Sequence, residues 1–260
     1  MFINNFDPVA LQIFSFEIRW YSLAYVIGIL FGWIVGKRFF ITNPVLKQTF
    51  DDFITYSILA IILGGRLGYV LLYNPKYYFY NFLDIFKIWE GGMSFHGALI
   101  GVIIGTHLFA NKRNIQTFIL LDVIACVSPL GIFLGRIANF INGELVGKIT
   151  SVPWGVIFPA IDKFQRHPSQ IYEALLEGLI LFFILNILLF KPKYNIGRSS
   201  ALFLILYGVF RIISEFFREP DKQIGYILNL FSMGTLLSFF MILGGFIIIK
   251  TLRRKNEIKY

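Results

Sequence analysis

Seven apolar stretches, each near the roughly 20 residues a helix needs to cross a bilayer core, constrain this chain more than any single motif. They run over 18–35, 53–73, 94–109, 118–135, 169–189, 199–216 and 226–249 of the 260 residues. In hydrocarbon every backbone N–H and C=O must be paired within the protein, so runs of this length are read as helices. The expectation is an all-α integral membrane protein with about seven transmembrane helices, forming a single polytopic domain over residues 1–260. Hydrophobic residues make up 57% of the chain and charged residues 15%, which excludes an ordinary soluble domain. The net charge of +9 is dispersed over short connections and forms no continuous basic patch, so nucleic acid is not an expected partner. Cys126 stands alone in an apolar run and reads as a buried, inert thiol. No cleavable signal peptide is expected, because the first eighteen residues lack a basic n-region and the first apolar run leads into others.

Lysine and arginine in the connections set the orientation. One alternating set of connections carries thirteen of them, from Lys37 and Arg38 to the cluster at Arg253, Arg254 and Lys255; the other carries eight. The richer set is assigned to the cytoplasm, which puts the N-terminus outside and the C-terminus inside. The outer ends of the helices are then the starts of odd spans and the ends of even ones. Tyr21 and Tyr25 fall near the start of span 1, Arg66 and Tyr69 near the end of span 2, and His96 at the start of span 3. Arg136 and Asn139 follow span 4, His167 and Gln170 open span 5, and Arg211 and Glu215 close span 6. The costly polar groups gather on one side, as a single site facing the outer leaflet requires. The connection between spans 4 and 5, residues 136–168, is long enough to form an extracytoplasmic cap.

Helical phase at about 100° per residue groups these side chains further. Tyr207, Arg211, Glu215 and Arg218 share one face of span 6, and Gln170, Glu173 and Glu177 share one of span 5. Arg66, Glu173 and Arg218 read as polar contacts between helices or as side chains snorkelling to the interface. The glycine stripes Gly28, Gly32, Gly36 and Gly97, Gly101, Gly105 read as close helix packing. Asp122, about 21 Å of helix away from Arg136, reads as structural, and His107, toward the cytoplasmic end of span 3, reads as interfacial.

A basic, asparagine-rich outer pocket suits a phosphate: arginine forks match its oxygens, and asparagines complete the cradle. At an outer leaflet that phosphate is most economically a phospholipid head group. Three dispersed histidines and one cysteine supply no metal-ligand set, and neither a nucleotide loop nor a Gly-x-Ser-x-Gly elbow is present, so no metal or cofactor is expected.

The run Gly-Arg-Ile-Ala-Asn-Phe-Ile-Asn-Gly-Glu-Leu-Val-Gly at 135–147 resembles the signature of the prolipoprotein diacylglyceryl transferase family at every defined position. The resemblance extends to Arg19–Tyr25, Gly65–Tyr69, Gly91–Gly97, His167–Glu173 and Arg211–Asp221, nearly the length of the chain. Ala98 and Ser22 stand where the family often has glycine, and neither removes a functional group. The resemblance implies transfer of the diacylglyceryl group of phosphatidylglycerol to the lipobox cysteine of a prolipoprotein. That is the first step of bacterial lipoprotein maturation, in the cytoplasmic (inner) membrane, with the site toward the outer leaflet. The expected partners are phosphatidylglycerol, the lipobox segment of the prolipoprotein and the lipid bilayer.

In that chemistry Arg136 and Arg211 are expected to bind the phosphate and stabilise the charge developing on it. His96 is the candidate base for the substrate thiol, with ordering of the start of span 3 as its structural alternative. Tyr25, Asn139, Asn142 and Glu144 are expected to orient lipid hydroxyls and the arginines. Glu215 is expected to hold Arg211, and Gly147 to let the loop close over the head group. A phospholipid translocator would also want arginines in a membrane cavity, but no matching constellation lies on the inner half and no repeat relates the two halves.

Overall fold

A computed structural model of the chain describes residues 2–14, 16–41, 44–189, 196–220, 226–227 and 231–257. Lys191, Lys193, Asp221, Lys222 and Lys259, used above for charge counting or in the last motif, lie outside the described residues. The helices are α1 (Trp20–Val35), α2 (Pro44–Leu72), α3 (Pro75–Tyr80), α4 (Phe95–Lys112), α5 (Thr117–Asn142), α6 (Ser169–Glu173), α7 (Leu181–Leu189), α8 (Arg198–Glu215) and α9 (Met233–Glu257). A π-helical segment, Ala174–Ile180, joins α6 to α7 into one continuous helix. Short strands accompany them: β1 (Phe2–Ile3), β2 (Val9–Ile13), β3 (Phe16–Arg19), β4 (Val156–Ile157), β5 (Gln165–Arg166), β6 (Tyr226–Ile227) and β7 (Phe231–Ser232). The protein is therefore mostly helical, with strand pieces too short to show a period in the sequence.

Among the described residues, five helices are long and apolar enough to cross a membrane: Trp20–Arg38, Leu46–Leu72, Thr117–Asn142, Ser169–Ile187 and Met233–Leu252. The chain is an integral membrane protein on this evidence. α4 and α8 occupy the expected positions of spans 3 and 6 but are more polar, carrying His96, His107 and Lys112 in one and Arg198, Arg211 and Glu215 in the other.

Three expected boundaries move. α2 starts at Pro44, nine residues early, because proline suits the first turn of a helix and Phe50 and Phe53 are buried there. Tyr226–Ile227 pairs antiparallel with Phe231–Ser232, so the last helix begins at Met233. α5 runs on to Asn142, so Arg136, Asn139 and Asn142 are on the helix and do not follow its end.

The chain divides into two compact units, 1–36 with 122–260, and 37–121. In the first, Gly28 of α1 packs against Gly131 of α5, and Gly32 against Val127. Asp122 near the start of α5 accepts from the backbone N–H groups of Gly197 (2.6 Å) and Ser200 (2.7 Å) and from the Ser200 hydroxyl (2.6 Å). It thereby caps the N-terminus of α8, a structural role as expected. After α5 the chain forms β4 and β5, which extend β1 into a small sheet, with β1 parallel to β4 and β4 antiparallel to β5. Val146, Val156 and Phe158 with Phe140 form its apolar core.

In the second unit, α2 and α4 pack through glycine. A side chain on Gly64 would strike the backbone of Gly97 and Gly101, and one on Gly97 would strike that of Gly64 and Gly68. Arg66 is 4% exposed and donates to the carbonyls of Asp84 (2.6 Å), Ile85 (2.8 Å) and Gly92 (3.2 Å), so it ties down the connection leading to α4. His107 sits between Thr117 (3.1 Å) and Asn111 (3.0 Å).

Candidate active site

In the first unit, α5, the α6–π–α7 helix and α8 meet through charged side chains. Gly178 makes the approach possible, since a Cβ there would press on the backbone and Cβ of Phe133 one turn before Arg136. The π segment begins immediately after Glu173, and Glu173 and Glu177, four residues apart, lie on one side of the helix. Both carboxylates are fully buried, with 0% side-chain exposure.

Arg136 reaches both: its Nη1 is 2.9 Å from Glu173 and its Nη2 3.1 Å from Glu177. Arg211 on α8 reaches the same two acids at 3.1 Å and 3.5 Å and pairs with Glu215 one turn later. Arg218 adds a third guanidinium 3.3 Å from Glu173. Three arginines and three glutamates thus balance formally, the condition under which buried charges are tolerated. Each guanidinium has five N–H donors in a rigid fork, more than these contacts consume at Arg136. Sharing Glu173 and Glu177 brings Arg136 and Arg211 together.

A second constellation adjoins it in the sequence. Past α5, Gly143 takes φ +67 and the chain turns back, so that the Glu144 N–H donates to the Asn139 carbonyl at 3.0 Å. The Glu144 carboxylate accepts from Asn139 (3.2 Å) and Asn142 (3.4 Å), and its backbone carbonyl accepts from Gln170 at 2.6 Å. Asn139, Asn142 and Glu144 are therefore assembled as one hydrogen-bonded group.

Gly147 lies in a three-way backbone junction. Its N–H donates to the His167 carbonyl at 3.1 Å, and Lys148 N–H to that of Phe217 at 2.8 Å. A Cβ on Gly147 would collide with both carbonyls, so glycine is required here for close approach. Arg166 locks the junction by donating to the Gly147 carbonyl (2.9 Å) and pairing with Asp162 and Glu219; those acids and its hydrogen bonds raise its pKa. Nearby, His167 Nδ1 lies 3.2 Å from the Tyr172 hydroxyl, which accepts from Trp154 at 2.8 Å. Partial burial, then the charge of Lys148, pushes the His167 pKa down.

Tyr25 on α1 is 55% exposed and its hydroxyl lies 3.3 Å from that of Tyr21. His96 belongs to the second unit, half-buried in the first turn of α4. Ser94 caps that helix by accepting from Gly97 N–H at 3.2 Å, and Gly91 and Gly92 before it take φ +84 and +81. The structure thus gathers Arg136, Arg211 and Glu215 in one cluster, and Asn139, Asn142 and Glu144 in another.

Glu173, Glu177 and Arg218 were not expected at its centre. Their helical phase was visible, but a carboxylate that holds two arginines has the same sequence pattern as one that merely joins two helices. Gln170 was hidden for the same reason.

A model of the prolipoprotein diacylglyceryl transferase family matches residues 8–251. The chain is similar to the phosphatidylglycerol–prolipoprotein diacylglyceryl transferase of Rickettsia felis, 52% identical over 249 residues, covering 94% of this chain and 96% of that protein. The enzyme of the same name from Rickettsia typhi is 51% identical over 259 residues, 98% and 100% of the two chains. That of Rickettsia bellii is 50% identical over 256 residues, 96% and 97%. With the match running through both units and every motif that builds the arginine cluster, this chain belongs to the prolipoprotein diacylglyceryl transferase family.

Proposed function

We propose that this chain transfers the diacylglyceryl group of phosphatidylglycerol to the lipobox cysteine of a prolipoprotein, the first step of lipoprotein maturation, as the names of its relatives describe. The observation that carries the site assignment is the pair Arg136 and Arg211, held side by side on two shared, fully buried glutamates. Two fixed guanidiniums suit a phosphodiester, and their positions are set before the lipid arrives.

In the reaction the cysteine sulfur attacks the lipid glycerol carbon, a C–S bond forms, and the C–O bond to phosphate breaks with its electron pair going to oxygen. Glycerol phosphate leaves with one more negative charge, which Arg136 and Arg211 stabilise. A free thiol with a pKa of about 8.5 is mostly protonated at neutral pH. His96 is assigned the base that takes its proton, because a neutral imidazole titrates near working pH. Tyr25, Asn139, Asn142 and Glu144 orient the lipid's hydroxyls and the arginines, with Glu215 steadying Arg211. The packing at Gly147 supports a role in holding the loop closed beside the head group.

The same reading takes α4 and α8 as spans with the five more apolar helices, making seven, N-terminus outside and C-terminus cytoplasmic. Residues 143–168 then cap the outer side, and the enzyme sits in a bacterial cytoplasmic membrane with its site toward the outer leaflet. The test is incubation of the purified protein in phosphatidylglycerol vesicles with a lipobox peptide. A mass gain of one diacylglyceryl group on the peptide cysteine, lost in Arg136→Ala and Arg211→Ala, is the expected result. Lipid movement without an adduct would mean a translocator.

A further inference from the structure

Glu144 fixes the direction of two neighbouring amides. Its carbonyl accepts from Gln170 Nε2 and its carboxylate from Asn142 Nδ2, and an acceptor can be met only by the NH2 end of an amide. Turning either amide over would set oxygen against oxygen. The oxygen ends are thereby committed elsewhere: Gln170 Oε1 and Asn142 Oδ1 are both buried and have no hydrogen-bond partner among the described residues. Gln170 itself is 0% exposed. Buried acceptors left unpaired are costly and rare in folded proteins.

What would satisfy them is a donor, which excludes a carboxylate or phosphate oxygen and points to hydroxyl groups. Gln170 stands three residues, about 4.5 Å of helix, before Glu173, the acid that holds Arg136 at 2.9 Å and Arg211 at 3.1 Å. Less than one turn of helix thus separates Gln170 from the acid that both arginines share, a spacing that one small head group bearing a phosphate and hydroxyls can match. Phosphatidylglycerol has that form, with two hydroxyls on the carbons beyond its phosphate.

We infer that Gln170 Oε1, together with Asn142 Oδ1, accepts the head-group glycerol hydroxyls and selects a glycerol-bearing phosphodiester over one whose head group has no donor. This rests on the phosphatidylglycerol reading of the site and adds the group that reads the alcohol. A site built to bond a hydroxyl rejects the analogue without it because its own polar groups are stranded. A loss of about tenfold per missing bond is expected.

The experiment compares kcat/KM for transfer to a lipobox peptide from phosphatidylglycerol and from phosphatidylpropanol, the same phosphodiester without hydroxyls. The native protein is expected to prefer phosphatidylglycerol by at least about tenfold. Gln170→Met, which keeps the side chain's length, is expected to narrow that preference about tenfold. Equal use of the two lipids by the native protein overturns the inference without any variant. A Gln170→Met protein that loses activity on both lipids equally, keeping the native ratio, also overturns it, because loss of the bond to the Glu144 carbonyl would act on both alike. Transfer from neither lipid by the native protein overturns the transferase reading, and this inference with it.

Discussion

Replacing Glu173 by glutamine removes one charge and little volume, and the geometry says how much should follow. Glu173 neutralises Arg136, Arg211 and Arg218 at 2.9, 3.1 and 3.3 Å; Glu177 serves two of them at 3.1 and 3.5 Å, and Glu215, among the described residues, serves Arg211 alone. At an effective dielectric of about 20, unit charges about 4 Å apart attract by about 4 kcal/mol, against which stands a desolvation cost of several kcal/mol per ion. The intact pair roughly breaks even, but removing one partner costs about 3–5 kcal/mol because the other charge stays buried and uncompensated. Glu173→Gln should lie at the top of that range, Glu177→Gln near the bottom, and Glu215→Gln, whose side chain is 9% exposed, below both. The assay is the thermal inactivation midpoint of each protein in matched detergent micelles, with transfer activity measured at a temperature where all three remain folded. Glu173→Gln should have the lowest midpoint and, with two misplaced arginines, the lowest turnover. If Glu215→Gln were as damaging as Glu173→Gln, the carboxylate would not be the hub that holds the arginines.

Three further outcomes are expected. Gly147→Ala should destabilise by about 1–3 kcal/mol as its Cβ meets the His167 and Phe217 carbonyls, read as a lowered inactivation midpoint and increased proteolysis of residues 143–168. Asp122→Ala should cost about 1–2 kcal/mol by uncapping α8, lowering that midpoint with a smaller effect on KM than Arg211→Ala has. His167 has a lowered folded pKa, so the unfolded segment binds the proton more readily; stability is complete above the unfolded value of about 6.5 and declines as pH falls below it. Trp154, joined to His167 through Tyr172, should report that loss in its fluorescence, and His167→Gln should flatten the profile.

Apolar length was enough to place the helices, because lipid leaves a chain of this composition no other way to pair its backbone. It was not enough to end them. Arg136, Asn139 and Asn142 look like the exit from a span, yet α5 continues through them because Glu173, Glu177 and Glu144, distant or downstream in sequence, satisfy their donors. The π segment after Glu173 has no residue signature, and β4 and β5 are two residues each, too short for alternation to show. The arginines were legible as expensive residues. Their dependence on two shared acids was not, since helical phase gives a face and not the neighbour across it.

Phosphatidylglycerol carrying a heavy oxygen isotope in the bond between its lipid glycerol carbon and phosphorus tests the central claim most directly. Attack by the cysteine sulfur on that carbon predicts all of the label in the released glycerol phosphate and none on the peptide, which gains a thioether-linked diacylglyceryl group. Label recovered in free diacylglycerol, with an unmodified peptide, would mean the phosphorus–oxygen bond had broken and would contradict the account.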